Sequence, residues 1–276
     1  MASFRIPFAA GMLLMSAGCA HAADMPGKAA VGLDYKIYIG GLEALSATAS
    51  IASGSDRYDV EIEATTAGAI GKIMPWTVKV ASRGNVTNDV LQPVEHTQNN
   101  NFQGKDRSVT LSYDGHGGFL SRTVKPDAND DQRDEVPADL TRDTLDIVSG
   151  VLQGLRTVDR TGNCKSKVPV FDGRRRFDLV FSDDGHETLE ASSVAVFSGD
   201  ALKCGVKVEP VAGFWKKNQK KFFSRRVNGE DQVVPIEVYV ARVGANKTEV
   251  PVRIESTSPF GPLVLNLNAV HDPSPH

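Results

Sequence analysis

Runs in which apolar and polar side chains alternate dominate this chain, the pattern of strands with one buried face. Residues 31–51 read as two such strands broken at Gly40-Gly41, a hairpin turn. In Arg57–Thr66, Tyr58, Val60 and Ile62 share one face while Asp59, Glu61 and Glu63 share the other. Gly68 to Gly71 punctuates; the strand that follows carries Pro75 at an edge or bulge and Trp76 in a half-buried core or cavity position. Residues 90–126 form a three-stranded meander, parted at Gln103-Gly104 and Asp114-Gly115. Between Cys164 and Cys204 two strands flank Asp183-Asp184-Gly185-His186, which reads as a hairpin turn, with Phe177, Leu179 and Phe181 on one face. Three more strands follow Val233, with Gly244–Lys247 as a turn.

One stretch beyond the first 22 residues has helical spacing instead. In Pro137–Leu155, Leu145, Val148, Leu152 and Leu155 recur at steps of three and four, and Ile147 and Val151 widen the stripe. Thr141 or Asp143 caps it, and Asp143 and Asp146 complement the helix dipole, so the spacing predicts a helix over about residues 141–155. Gly150 and Gly154 each weaken it by roughly 1 kcal/mol, so it needs tertiary contacts to form. A single amphipathic helix among many strands predicts an all-β fold: a long curved antiparallel sheet, an open barrel or β-spiral, wrapped around that helix.

The first residues change the picture of where such a fold works. Met1–Ala22 has Arg5, an apolar run to Met15 and the small-residue pattern Ala20-His21-Ala22, which reads as a signal peptide cleaved before Ala23. Residues 23–276 are then one periplasmic β-rich domain. Ser16-Ala17-Gly18-Cys19 also resembles a lipid-attachment box, with Ser16 in place of the usual aliphatic residue, so lipidation at Cys19 is the second reading. Later runs fall short of a membrane-spanning helix. With Cys19 in the leader, Cys164 and Cys204 remain as an even pair, which in an exported chain predicts a disulfide rather than a catalytic thiol.

Candidate chemistry is sparse. The formal net charge of −3 lacks a nucleic-acid footprint. The sequence has none of the motifs H-E-x-x-H, G-x-S-x-G or S-x-x-K, and His96, His116, His186, His271 and His276 lack metal-ligand spacing. Asp127, Asn129 and Asp131 begin like a calcium loop, but Gln132 and Ala138 stand where glycine and glutamate are required. No catalytic residue, metal or cofactor is therefore expected. Two basic features stand out. Arg174, Arg175 and Arg176 follow Asp172-Gly173, and alternation puts Arg174 and Arg176 on one face; they suit a carboxylate or phosphate, or else pair with Asp172 and Asp178. Val211–Val227 sets Lys216, Lys217, Lys220, Lys221, Arg225 and Arg226 among Phe214, Trp215, Phe222 and Phe223, which suits an anionic membrane surface or a strand pair with a wet outer face.

Tyr38-Ile39-Gly40-Gly41-Leu42, the aliphatic helix from Asp143, VPVFDGRRRFDL at 168–179, and VPVRIEST at 250–257 with Phe260-Gly261 resemble, over most of the chain past the leader, an uncharacterised family of exported Gram-negative bacterial proteins, DUF3108. The resemblance implies a periplasmic protein and brings no catalytic residue with it. A looser architectural likeness is to periplasmic lipoprotein carriers, whose curved sheet shelters acyl chains. The expectation is a periplasmic cell-envelope protein that binds an amphipathic or lipid-like envelope component without catalysis. Leu145, Val148 and Leu152 then line an apolar cavity, Arg174 and Arg176 meet an anionic headgroup, and Trp215, Lys216, Lys217, Lys220 and Lys221 face the membrane or a partner. The second expectation is a structural or protein-interaction module with a solid core, internally paired arginines and strand edges that recruit an envelope protein.

Overall fold

Alternation becomes strand almost wherever it occurs. The computed structural model describes residues 30–126, 135–214, 224–227, 230–233 and 235–272. The expected leader with Cys19, the acidic run 127–134 and the stretch from Trp215 through Lys216, Lys217, Lys220 and Lys221 to Phe223 lie outside the described residues. In chain order the elements are β1 (Val31–Ile39), β2 (Leu42–Ser53), β3 (Arg57–Thr66), a short helix α1 (Gly68–Ile73), β4 (Trp76–Thr87), β5 (Val90–Phe102), β6 (Lys105–Tyr113) and β7 (Phe119–Lys125). The main helix α2 (Ile147–Thr161) precedes β8 (Ser166–Phe171), β9 (Arg176–Leu189) and β10 (Gly199–Ala212). An antiparallel pair, β11 (Ser224–Val227) and β12 (Glu230–Val233), comes between these and β13 (Ile236–Val243), β14 (Thr248–Ser258) and β15 (Gly261–His271).

Thirteen strands make one sheet in the order β7-β6-β5-β4-β3-β2-β1-β15-β14-β13-β10-β9-β8, and every neighbour pair in it is antiparallel. Most neighbours in space are neighbours in sequence; β1 beside β15 joins the two halves of the chain. The sheet rolls into an open barrel around α2. One apolar cluster unites Tyr58, Val60 and Leu91 of β3 and β5 with Val168, Val170, Phe177 and Leu179 of β8 and β9 across Leu152 of the helix. At the seam the Phe119 and Phe171 rings meet edge to face with centroids 4.9 Å apart, and the Tyr113 hydroxyl donates to the Phe171 carbonyl at 3.3 Å. Backbone from the run before α2 fills the seam: Asp143 N–H donates to Gly117 O at 2.8 Å, Leu145 N–H to Pro169 O at 3.0 Å, and Phe171 N–H to Leu145 O at 2.9 Å.

That use of Leu145 corrects the expected helix start. Leu145 is spent on a parallel bridge to Val170, and α2 begins at Ile147 and runs to Thr161, some residues beyond the predicted end. Apolar spacing alone does not show that the first residue of a stripe belongs to a strand ladder. Asp146, rather than Thr141 or Asp143, is the cap, its carboxylate accepting from Val148 N–H and Ser149 N–H at 3.0 Å each. The two helix glycines are places of close approach. A Cβ on Gly150 would lie 2.8 Å from Val170 Cγ2, and one on Gly154 would lie 2.8 Å from Phe181 Cζ. The residues that weaken the helix in isolation thus let it lie against β8 and β9.

A second correction concerns Asp183–His186, which is not a hairpin turn. β9 runs through it to Leu189, with the register shifting opposite Leu202 and Cys204. Asp184 and Gly185 are accommodated as a bulge, which composition alone does not distinguish from a turn. The expected disulfide is formed: Cys164, just past α2, is bonded to Cys204 on β10 with Cα atoms 5.7 Å apart. Among the described residues no helix is long and apolar enough to cross a membrane.

Antiparallel order gives the barrel two unlike ends. One carries α1 and the β1–β2, β5–β6, β8–β9 and β14–β15 turns; the other carries the β2–β3, β4–β5, β6–β7 and β13–β14 turns. α2 plugs the second end, where Arg156 donates to Ser53 Oγ at 2.7 Å and Leu91 N–H donates to Gln153 Oε1 at 2.8 Å.

Candidate functional site

The plug leaves the α1 end of the lumen to a cleft of about 340 Å³, lined by Gln98 and Asn100 of β5, Arg107 and Val109 of β6, Arg122 of β7, and Asp172, Arg174 and Arg175 of the β8–β9 turn. Strand alternation explains the first wall. Asn100 pairs with Arg107 and Gln98 with Val109, so the four side chains share the inner face. The Trp76 indole N–H donates to Asn100 Oδ1 at 3.0 Å and fixes that amide, so the half-buried tryptophan serves the cleft from its flank. The opposite wall is a turn organised by Asp172. One carboxylate oxygen accepts from the N–H groups of Arg174 and Arg175 at 2.9 and 2.7 Å, and the other accepts from Arg175 Nε at 2.7 Å. Gly173, with φ of 84°, sits where a Cβ would lie 2.6 Å from Leu111 Cδ2, so the turn packs directly on β6 across the seam.

Four guanidiniums and one carboxylate therefore face a single cleft, and Arg122, Arg174 and Arg175 all have partners of their own. A planar guanidinium presents a fork of donors suited to phosphate or carboxylate oxygens, so the arrangement can hold an anion by paired hydrogen bonds. The sequence places Arg174 and Arg176 together, but the structure separates them. Residues 172–175 form a turn rather than strand, and Arg176, the first residue of β9, turns to Asp178 Oδ1 at 2.5 Å and the Phe177 carbonyl at 2.6 Å. Lys167 also reaches Asp178, at 2.8 Å. Burial disfavours the Asp178 carboxylate, but Lys167 and Arg176 outweigh it and hold its pKa below the ordinary range.

The helix residues expected to line a cavity are packed instead. Leu145 and Leu152 are buried in the core cluster and Val148 packs against it. Leu152 borders a crevice of only about 50 Å³ with Ile51, Leu155 and Arg156. Small-molecule pockets begin near roughly 300 Å³.

A buried polar cluster that sequence reading missed ties the helix to the wall. Asp146 Oδ1 accepts from Ser82 Oγ at 2.8 Å and lies 3.1 Å from His96 Nδ1, while Ser82 Oγ is 2.7 Å from the same ring nitrogen. Since Ser82 has one hydroxyl proton and gives it to Asp146, His96 Nδ1 brings its own. Asp146 Oδ2 accepts from Ser149 Oγ at 2.5 Å, and Ser149 meets the Tyr58 hydroxyl at 2.7 Å. Burial opposes the charged carboxylate, but the hydrogen bond and charge of His96, with the bonds from Ser149, hold Asp146 below the usual carboxylate range. These are the residue types of a hydrolytic triad in another geometry: serine and aspartate meet one ring nitrogen rather than opposite ones, and all are buried. The available signal was the period-two spacing that puts His96 and Ser82 on the inner face, opposite each other in register.

A family model described as "Protein of unknown function (DUF3108)" matches residues 34–268. No curated protein matches the chain. Among solved structures it is similar to a crystal structure from Brucella abortus, described as a β-barrel-like protein of the domain of unknown function DUF1849. The TM-score is 0.48 at 8% identity, over 90% of this chain and 99% of that one.

Proposed function

The chain belongs to the DUF3108 family, and from that premise we propose that it is a periplasmic cell-envelope protein that holds the anionic group of an amphipathic, lipid-like envelope component, without catalysis. One observation carries the reading: the cleft at the open end of the barrel gathers Arg107, Arg122, Arg174 and Arg175 around space of about 340 Å³. That volume lies within the range of ligand sites, and its donors match phosphate or carboxylate oxygens. The Cys164–Cys204 disulfide supports an oxidising, exported environment, of which the periplasm is the proposed case. Since the helix face is packed, the reading assigns Val148 and Leu152 to the barrel's plug and Leu145 to the seam before it, and leaves the apolar part of the ligand outside the lumen.

The test is native mass spectrometry, with solvent extraction, of protein purified from the periplasm of its own host. A stoichiometric amphiphile that is lost from the Arg107→Ala, Arg174→Ala double variant supports the reading. Bare protein, or an adduct that the double variant retains, overturns it.

A second reading, a structural or protein-interaction module that supports the envelope, is favoured by the packing of α2 against β8 and β9 and by the internal pairing of Arg175 with Asp172 and of Arg176 with Asp178. It expects bare protein in the same experiment and a partner recovered by crosslinking in the periplasm.

A further inference from the structure

The three most exposed large apolar side chains among the described residues stand at the α1 end of the barrel. Phe260 in the β14–β15 turn, Leu42 after the β1–β2 turn and Ile73 at the end of α1 are 82%, 69% and 76% exposed, and Met74 and Phe102 are exposed beside them. They sit on turns bonded sideways to one another. Gly40 N–H donates to Pro262 O at 2.9 Å, Ala67 N–H seats α1 on Ala44 O at 2.9 Å, and Gln103 N–H ties the β5–β6 turn to Pro75 O at 2.9 Å. The five side chains thus lie along one continuous rim. The tight turns of the opposite end hold Ser55-Asp56, Asn88-Asp89, Asp114 and Asn246-Lys247, and the apolar side chains exposed there, Val90, Leu120, Val194 and Val196, are less exposed than Leu42, Ile73 and Phe260.

A rim of apolar tips on a polar protein calls for a covering surface, and its charge indicates which. Lys72, Lys105 and Lys125 are exposed on the same turns and strand ends. Glu43 beside Leu42 is already taken by Lys36 at 3.1 Å. Apolar side chains that insert at the acyl boundary, with lysines at headgroup level, are how a peripheral protein meets an anionic bilayer.

We propose that the α1 end of the barrel is a membrane-docking rim, in which Leu42, Ile73 and Phe260 insert into the surface of a bilayer containing anionic lipid. The inference does not rest on the cleft's holding an anion. It places the cleft mouth toward the headgroups and the polar turns of the other end toward solvent.

The full chain, without its leader, is sedimented with vesicles of phosphatidylethanolamine and phosphatidylglycerol, and separately with vesicles of phosphatidylcholine alone. The wild type is expected to partition onto the anionic vesicles and much less onto the neutral ones. L42S/I73S/F260S, melting like the wild type, is expected to bind about tenfold more weakly or worse. V194S/V196S, at the opposite end, is expected to bind like the wild type. If the triple variant fails to fold, F260S alone, at the most exposed position, is expected to weaken binding severalfold. Wild type that stays in the supernatant with both vesicles, rim variants that bind as well as wild type, or self-association through the rim in place of vesicle binding would each overturn the proposal.

Discussion

The carboxylate that caps α2 is also the partner of the barrel wall: Asp146 accepts from the first helical N–H groups and at the same time lies 3.1 Å from His96 Nδ1 on β5. One buried carboxylate thus ties the start of the helix to β4 and β5.

Removing that charge should therefore cost more than a cap. Loss of an N-cap side chain is typically worth about 1 kcal/mol, and each buried polar group left without its partner, here Ser82 and Ser149, costs roughly 1–3 kcal/mol more. Asp146→Ala is expected to lower the free energy of unfolding by about 3 kcal/mol or more, read from the urea midpoint with the slope unchanged. A loss below about 1 kcal/mol would show that Asp146 acts as a cap alone.

The same residue sets an acid limb. Its folded pKa is depressed, so its contribution is fully present above the unfolded aspartate value of about 3.9 and is lost as pH falls from there through the folded value. Stability of the wild type is expected to drop more steeply below about pH 4 than that of Asp146→Asn, which has no such group to protonate. Parallel pH profiles for the two proteins would contradict the assignment.

Alanine at the helix glycines tests the close approach. Propensity alone favours each substitution by about 1 kcal/mol, but overpacking costs about 1–3 kcal/mol. Gly150→Ala would press on Val170, which is fully buried, and on Leu179, and is expected to destabilise. Gly154→Ala meets the outer end of the Phe181 ring, which is partly rather than fully buried, and is expected to be the milder change. Thermal melts of the two variants should rank in that order.

The disulfide closes a loop with a sequence separation of 40. In the chain-entropy account such a loop contributes about 4 kcal/mol. Cys164→Ser with Cys204→Ser, or reduction of the wild type, is expected to shift the denaturant midpoint by a corresponding amount, and an unchanged midpoint would mean that the bond constrains little of the unfolded chain.

Much of this architecture was legible in sequence because a half-buried strand advertises its inner face every second residue. β1, β2, β3 and the β13–β14 turn follow that signal directly. It failed where backbone pairing, not side-chain pattern, decides the structure. Leu145 belongs to the apolar stripe yet is held by β8, and Asp184-Gly185 looks like a turn yet is a bulge within β9. Half of the cleft could be found from the arginine run after Asp172-Gly173. Its other wall could not, because Gln98, Asn100, Arg107 and Arg122 come from three strands that meet the β8–β9 turn only when the sheet rolls up. Arg176 shows the complementary limit: its partner Asp178 was visible two residues away, but not that this pairing turns it from the cleft.

The pairing of β1 with β15 has a consequence for how the chain assembles. Each half of the sheet is a meander whose strands find partners close in sequence, a topology that forms its contacts over short loops. The strand that joins the halves is the last one made. Until it arrives, β1 is an edge that carries Val31, Leu33, Tyr35 and Ile37 with one side of its backbone unsatisfied. A chain that emerges amino end first thus leaves this apolar edge open until β15 is made, and any truncation before β15 leaves it open for good.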